Sequence, residues 1–118
     1  MSQERLRAAK ALLDDGFYRD SISRSYYAAY CAATSRVIER GVVFANGRRN
    51  PSHEQLPDLV ANVPGLALLD RRKAKRLLRA LRRAREDADY RPHAFVNRAT
   101  AQDATHSATA LLKILVIE

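Results

Sequence analysis

Residues 20–40 read DSISRSYYAAYCAATSRVIER, and this stretch decides the fold. Its apolar side chains recur at helical spacing, and Gly41 follows them as a typical helix-ending residue. They form two stripes instead of one. A helix that is apolar on two sides needs neighbours on both sides, so the stretch predicts the central helix of a bundle. The first stripe is Ile22, Tyr26, Ala29, Tyr30, Ala33 and Val37, and the second is Tyr27, Cys31, Thr34 and Ile38.

The same helical period continues on both sides of this segment. A first helix begins near Ser2, a plausible N-cap, and ends at Gly16. Residues 42–51 (VVFANGRRNP) have the Asn-Gly and Asn-Pro pairs of a loop. Three more helices are then predicted. The third spans about 53–63, is opened by a capping box of Ser52 and Gln55 and is closed by Pro64-Gly65. The fourth spans about 67–87, and its inward-facing residues are Ala74, Leu77, Leu78, Leu81, Ala84 and Ala88. The last is opened by a capping box of Thr100 and Asp103, and its inward-facing residues are Ala104, Ala108, Leu111, Leu112 and Leu115.

These elements predict an all-α fold, an up-and-down bundle of four to five helices with short connections. The 118 residues, 47% of them hydrophobic, suit one domain over 1–118. A single cysteine, Cys31, fits a core filler in a reducing compartment. No apolar run reaches membrane-spanning length and MSQERLRAAK is no signal sequence, so we expect a cytoplasmic protein without membrane contact.

The charge is strongly basic and is concentrated in the fourth helix. Lys and Arg number 21 against 13 Asp and Glu, which gives a net charge of +8 and favours polyanionic partners. Between residues 71 and 85 there are nine basic residues and no acid. We call the series Arg72, Arg76, Arg79 and Arg83 the arginine ridge, because its spacing places it along about 16 Å of one helix face. It is interpreted as an RNA-binding surface, with a solvated face or an acidic-protein contact as alternatives.

The sequence lacks the signatures of common cofactors. The three histidines, His53, His93 and His106, are far apart, and no Cys or His pair has zinc spacing, so no metal is expected. No glycine-rich phosphate loop is present, and no cofactor is predicted. A conventional metabolic enzyme is disfavoured.

Three segments together resemble the HEPN superfamily, in its small prokaryotic branch. They are DGFYRDSISRSYYAAYCAATSRVIERG (15–41), SHEQL (52–56) and RAREDADY (83–90). The resemblance extends over about residues 6–115. It implies a helical bundle that forms a homodimer and is often encoded beside a minimal nucleotidyltransferase in toxin–antitoxin or defence loci.

The resemblance also implies a candidate site. Active HEPN ribonucleases use a metal-independent R-x4-6-H motif, often extended to H-x-Y, in which the arginine stabilises phosphate charge and the histidine is the acid–base group. If Tyr90 is the motif tyrosine, Arg83 or Arg85 is the arginine and Ala88 stands in the histidine's place. His93 follows Arg85 by eight positions, outside the usual interval, and the one R-x4-H string, from Arg48 to His53, falls in the loop. The departure leaves enzymatic activity open.

The candidate catalytic group is therefore Arg85, Asp89, Tyr90 and His53. Because the third and fourth helices are predicted to be antiparallel, His53 should lie opposite residues 77–81, with Arg85 one to two turns beyond. The favoured interpretation of Arg85, Asp89 and Tyr90 is structural: a C-terminal cap with an Arg85–Asp89 pair and Tyr90 as a plug over the core. In the alternative, Tyr90 is the exposed tyrosine to which a partner nucleotidyltransferase attaches a nucleotide.

The other tyrosines also have two interpretations. Tyr18, Tyr26, Tyr27 and Tyr30 surround the start of the second helix. They fit core and dimer-interface aromatics better than base-stacking platforms.

Three functions follow as hypotheses. The first is an RNA-associated HEPN-like protein without the intact ribonuclease motif. The second is a ribonuclease toxin in which His53 or His93 replaces the missing histidine. The third is an adaptor that binds an acidic protein.

Overall fold

The computed structural model describes residues 2–41, 51–92 and 94–116, which contain five α-helices and no strand. The helices are α1 (Ser2–Asp14), α2 (Tyr18–Glu39), α3 (Leu56–Ala61), α4 (Leu68–Tyr90) and α5 (Arg98–Val116). The predicted all-α class is confirmed. The predicted loop over 42–51 lies outside the described residues except for Pro51.

α2 is the central helix, because in the described part of the chain it contacts each of the other four. Its first predicted stripe belongs to the core, with only Tyr30 partly exposed. The second stripe is less well covered, and Ile38 at its end remains 49% exposed. Several further buried positions of α2 carry small side chains that allow neighbouring helices to approach closely; they are Ser21, Ser25, Ala28 and Ala32.

Side-chain contacts between helices confirm the up-and-down arrangement. Arg19, at the start of α2, reaches the carbonyl of Ala88 at the end of α4, so these two helices are antiparallel. Arg36, near the end of α2, donates to the carbonyl of Leu115 at the end of α5, so those two are parallel. Between α1 and α2, the tight turn at Gly16 reverses the chain direction.

That first turn has the bonding pattern of a Schellman motif. Gly16 has φ +84°, its N–H donates to the carbonyl of Leu13, and the N–H of Phe17 donates to the carbonyl of Leu12 at 2.8 Å. Glycine suits this position because an L side chain is strained in the left-handed region. The predicted end of the first helix is therefore confirmed.

The predicted start of the third helix is wrong. The amide N–H of Gln55 does donate to Ser52 Oγ at 3.1 Å, but residues 53–55 form a turn and α3 begins at Leu56. His53 consequently lies in a turn before the helix.

The predicted capping box of α5 is also wrong. The reciprocal bonds join Asn97 and Thr100: the Thr100 N–H donates to Asn97 Oδ1 at 3.0 Å, and the Asn97 N–H donates to Thr100 Oγ1 at 2.9 Å. Asn97 is therefore the N-cap, three residues before the predicted N-cap Thr100, and the helix begins at Arg98. The predicted core stripe of α5 is confirmed, because all five of its members are buried.

Candidate functional site

The end of α4 carries the candidate site, and Arg19 of α2 holds it in place. The two terminal nitrogens of Arg19 donate to five carbonyl oxygens at 2.7–3.3 Å. The acceptors belong to Asp87, Ala88, Arg91, Pro92 and Ala94. The last carbonyls of a helix have no partners within it and carry a partial negative charge, so a guanidinium is a favourable cap.

Arg85 lies at the centre of the site. Its Nε donates to Asp89 Oδ2 at 3.0 Å, which confirms the predicted pair. One terminal nitrogen donates to two phenol oxygens, of Tyr27 at 2.7 Å and of Tyr90 at 2.9 Å. The side chain is only 15% exposed, and Asp89 also accepts from Ser23 Oγ at 3.2 Å. Arg85 is thus held from both α2 and α4.

His53 packs against the same group of aromatic rings. Its ring stacks on Tyr30 with 4.3 Å between centroids and on Tyr26 with 5.5 Å. Its Nδ1 forms a hydrogen bond with the hydroxyl of Tyr26. The hydroxyl of Tyr30 donates to the Pro51 carbonyl at 2.9 Å and so fixes the segment that precedes the histidine.

The protonation states of Tyr26 and His53 follow from their surroundings. Burial raises the pKa of the Tyr26 phenol far above its ordinary value, so this hydroxyl keeps its proton. Burial, and then the positive charges of Arg85 and Arg82, lower the pKa of His53, so its imidazole is neutral at pH 7. We infer that Tyr26 donates to Nδ1 and that the imidazole proton is on Nε2.

The structure brings His53 and Arg85 together around Tyr26. The Arg85 guanidinium carbon lies 5.7 Å from the centroid of the Tyr26 ring, whose hydroxyl bonds His53. The sequence spacing predicted His53 opposite residues 77–81. It also placed Arg85 one to two turns beyond, and in the structure both His53 and Arg85 contact Tyr26.

The prediction that Tyr90 plugs the core is wrong. Its side chain is 64% exposed, whereas Ala88 is buried. α4 continues to Tyr90 instead of ending at residue 87, so the ring stays on the helix surface and lies over Arg85, whose guanidinium carbon is 5.0 Å from its centroid.

The arginine ridge lies exposed along α4. Its four members, with Lys75 and Ala80, line an open groove of about 260 Å³. α3 contributes one acid beside it: Asp58 lies 2.8 Å from Lys75 and 3.6 Å from Arg79, and its bond to Lys75 lowers the pKa of the carboxyl. Within the described residues, Arg79 is the one ridge member in an ion pair, so the positive charge of the face is only partly balanced.

Several predicted features fall elsewhere. His93 and Arg48 lie outside the described residues. Over 2–41, 51–92 and 94–116 no group of three or more His, Cys, Asp or Glu side chains could hold a metal ion. None of the helices in these ranges is long and apolar enough to cross a bilayer.

The spacing of the sequence did not reveal Arg19 or Ser23 as site residues. Both act across 66 or more positions of the chain, so no local pattern marks them. The tyrosines had a signal, since Tyr26 and Tyr27 belong to the YYAA stretch on which the family resemblance rests.

Comparison with known proteins gives one match. The family model described as HEPN domain matches residues 1–118, the whole chain. No curated protein and no solved structure matches significantly. The five-helix bundle and the full-length match agree with each other: the chain belongs to the HEPN domain family.

Proposed function

We propose that this protein is an RNA-associated HEPN protein that binds RNA through the arginine ridge. One observation carries the proposal: four arginines on one face of α4 line an open groove of about 260 Å³. Membership of the HEPN domain family points in the same direction, toward an RNA-related or ribonuclease-like function.

The chemistry of the ridge suits a phosphate backbone. Guanidinium groups bind phosphate oxygens through two parallel N–H bonds, and a polyanion releases counterions when it replaces them on a basic surface. The net charge of +8 adds long-range attraction. Because the ridge repeats along the helix, its partner should present several negative charges in a row.

The test measures the affinity for a single-stranded RNA over a range of salt concentrations. If four arginines each neutralise one phosphate, log K against log salt should have a slope of about −3. Replacing Arg72→Gln together with Arg83→Gln should reduce the slope to about −1.5, since two contacts remain.

The control removes the same charge elsewhere. Arg7→Gln with Lys10→Gln changes exposed residues of α1, a helix without contacts to α4 in the described residues. Its slope should stay close to that of the wild type. Equal slopes for the wild type and the ridge variant would show that RNA binds elsewhere, and a wild type that binds no RNA would contradict the proposal outright.

A ribonuclease is the second candidate, because His53 and Arg85 both contact Tyr26. In such cleavage a ribose 2′ oxygen attacks phosphorus, its proton passes to a base, the bond to the 5′ oxygen breaks, and that oxygen takes up a proton. As a base, His53 would need a free lone pair on Nε2. In that tautomer the Nδ1–H of His53 donates to the Tyr26 hydroxyl instead of accepting from it.

Cleavage of RNA by purified protein in EDTA decides between the candidates. The ribonuclease hypothesis expects cleavage that is lost in His53→Gln and in Arg85→Lys but kept in His106→Gln, a change at an exposed histidine of α5. If the wild type binds RNA and leaves it intact, the ribonuclease hypothesis is wrong.

We further propose that the protein acts in a toxin–antitoxin or defence system with a minimal nucleotidyltransferase. The exposed Tyr90 hydroxyl supports this, because it is accessible and Arg85 beside it can bind phosphate. The transfer would join the Tyr90 oxygen to the α-phosphorus of a nucleoside triphosphate and release pyrophosphate. Intact-mass measurement after incubation with such an enzyme should show one added nucleotide, which is absent in Tyr90→Phe.

A further inference from the structure

The exposed ring of Tyr90 stands at the end of the arginine ridge. It follows Arg72 by 18 residues, which is five helical turns, so the two Cα atoms lie on the same face of α4, about 27 Å apart. Tyr90 follows Arg83, the last ridge member, by seven residues or about 10 Å. The Cα atoms of the ridge and of Tyr90 therefore lie along one face of the helix.

The ring is held in place from one side. Its hydroxyl accepts a bond from Arg85 at 2.9 Å, and the Arg85 guanidinium carbon lies 5.0 Å from its centroid. Arg85 is itself fixed by Asp89 and Tyr27. Tyr90 is otherwise open to solvent, with 64% of the residue exposed. An anchored ring with an open side can accept a flat partner at little entropic cost.

The acids between the ridge and the ring are paired. Glu86 lies 3.2 Å from Arg82, and Asp87 lies 2.9 Å from Arg91. The third acid, Asp89, lies 3.0 Å from Arg85. Since each of the three carboxylates has its own guanidinium partner, their repulsion of a phosphate chain that passes from Arg83 to Tyr90 is reduced.

We propose that Tyr90 is a base-stacking platform and that the ligand of the ridge is single-stranded RNA. This rests on the proposed function: the phosphates lie on the ridge, and one unpaired base stacks on Tyr90. In a duplex the faces of the bases are already stacked on each other, so a paired base cannot use the ring. The combination of a basic track with an aromatic ring is typical of proteins that bind single strands.

The first measurement compares RNA ligands on the wild-type protein. The probe is an oligoadenylate of about 12 nucleotides, within the ~4–16 that single-strand sites cover. It should bind more tightly than the same strand paired to its complement. Replacing the adenines by abasic residues keeps every phosphate but removes the bases, and this should weaken binding roughly 5- to 150-fold, the equivalent of about 1–3 kcal/mol per stacked base.

The second measurement assigns the effect to Tyr90. Tyr90→Ala should lose the same factor with oligoadenylate and should no longer distinguish it from the abasic strand. Tyr90→Phe keeps the ring and should retain most of the affinity. Phe95→Ala, which removes an 81% exposed ring outside α4, is the matched control and should bind like the wild type.

The outcomes separate the two proposals. If Tyr90→Ala binds as tightly as the wild type while the ridge variant loses affinity, the stacking platform is wrong and the ridge remains. If the wild type binds the duplex as well as the single strand, the assignment to single strands is wrong. If no RNA binds, both proposals fall. The abasic comparison uses only the wild-type protein, so it still tests the stacking proposal if the Tyr90→Ala variant misfolds.

Discussion

Tyr26 and Tyr90 both contact Arg85, but Tyr26 is buried and Tyr90 is exposed. Tyr26 is 1% exposed and Tyr90 is 64% exposed. Burial of a ring contributes several kcal/mol to stability, whereas a solvent-exposed ring contributes little. At the scale of single residues, position relative to the core therefore decides whether a tyrosine of this site is structural or available for binding.

We expect Tyr26→Ala to lower the free energy of unfolding by about 3–5 kcal/mol, the usual cost of truncating a buried aromatic. Tyr90→Ala should change it by less than about 1.5 kcal/mol, because the ring is exposed and its hydrogen bond from Arg85 lies at the solvent surface, where water weakens it. Urea denaturation of both variants checks this. A large loss in Tyr90→Ala would mean that the ring covers the core after all.

The stability of the protein should fall in mild acid because of His53. Its pKa is lowered in the folded protein, so just below pH 6.5, the ordinary value, the unfolded chain binds the proton more readily. Stability should therefore decrease as the pH falls from 6.5 toward the pKa of folded His53, and it should be unaffected by this group above that window. Unfolding curves above and below pH 6.5 measure the slope.

The matched control uses another histidine. His53→Gln should remove most of this pH dependence, while His106→Gln, at an exposed position, should keep it. All measurements stay above about pH 5, where ordinary carboxylates remain ionised. If both variants keep the same slope as the wild type, the acid sensitivity arises elsewhere.

At the scale of elements, α2 supplies hydrogen bonds to the C-terminal part of α4 and to the last described turn of α5. Arg19 caps α4 through five carbonyls, and the buried Arg36 donates to the Leu115 carbonyl near the end of α5. Each guanidinium supplies positive charge at the negative end of a helix dipole. The central helix thus contributes packing on its apolar faces and two caps near its ends.

Arg19→Ala should destabilise the protein by at least about 1.5–3 kcal/mol, the value of one hydrogen bond to a charged group. The last turn of α4 should also exchange its amide hydrogens faster, because its carbonyls lose their partner. Arg19→Lys keeps the positive charge but loses the two terminal nitrogens of the guanidinium, so its stability should lie between that of the wild type and that of Arg19→Ala. Arg24→Ala, on the exposed face of the same helix, is the control. Equal stability of the Arg19 and Arg24 variants would contradict the capping role.

At the scale of the whole molecule, we predict a homodimer. α2 leaves part of its second stripe uncovered: Ile38 is 49% exposed, and Cys31 is partly exposed. The HEPN resemblance also implies dimers. Light scattering at micromolar concentration should give twice the 13.3 kDa of one chain. A mass of 13.3 kDa that does not rise with concentration would show a monomer.

Much of the fold could be predicted because helices are local. The spacing of Ile22, Tyr26 and Val37 marks the buried face of α2, and Gly16 marks the end of α1. The errors fell at helix ends. Thr100 with Asp103 has the letters of a capping box, but Asn97 takes the cap, because several polar residues compete there and small differences in free energy choose among them.

By itself the sequence determined the helix content, the basic face of α4 and the Arg85–Asp89 pair, since each depends on residues within one or two turns. Only the tertiary structure decided what surrounds Arg85. Tyr26 and Tyr27 contact it from α2, and the exposure of Tyr90 depends on the turn at which α4 ends. The physical reason is that such contacts exist only after helices pack, when burial and hydrogen bonding repay the entropy of closing the long loops between them.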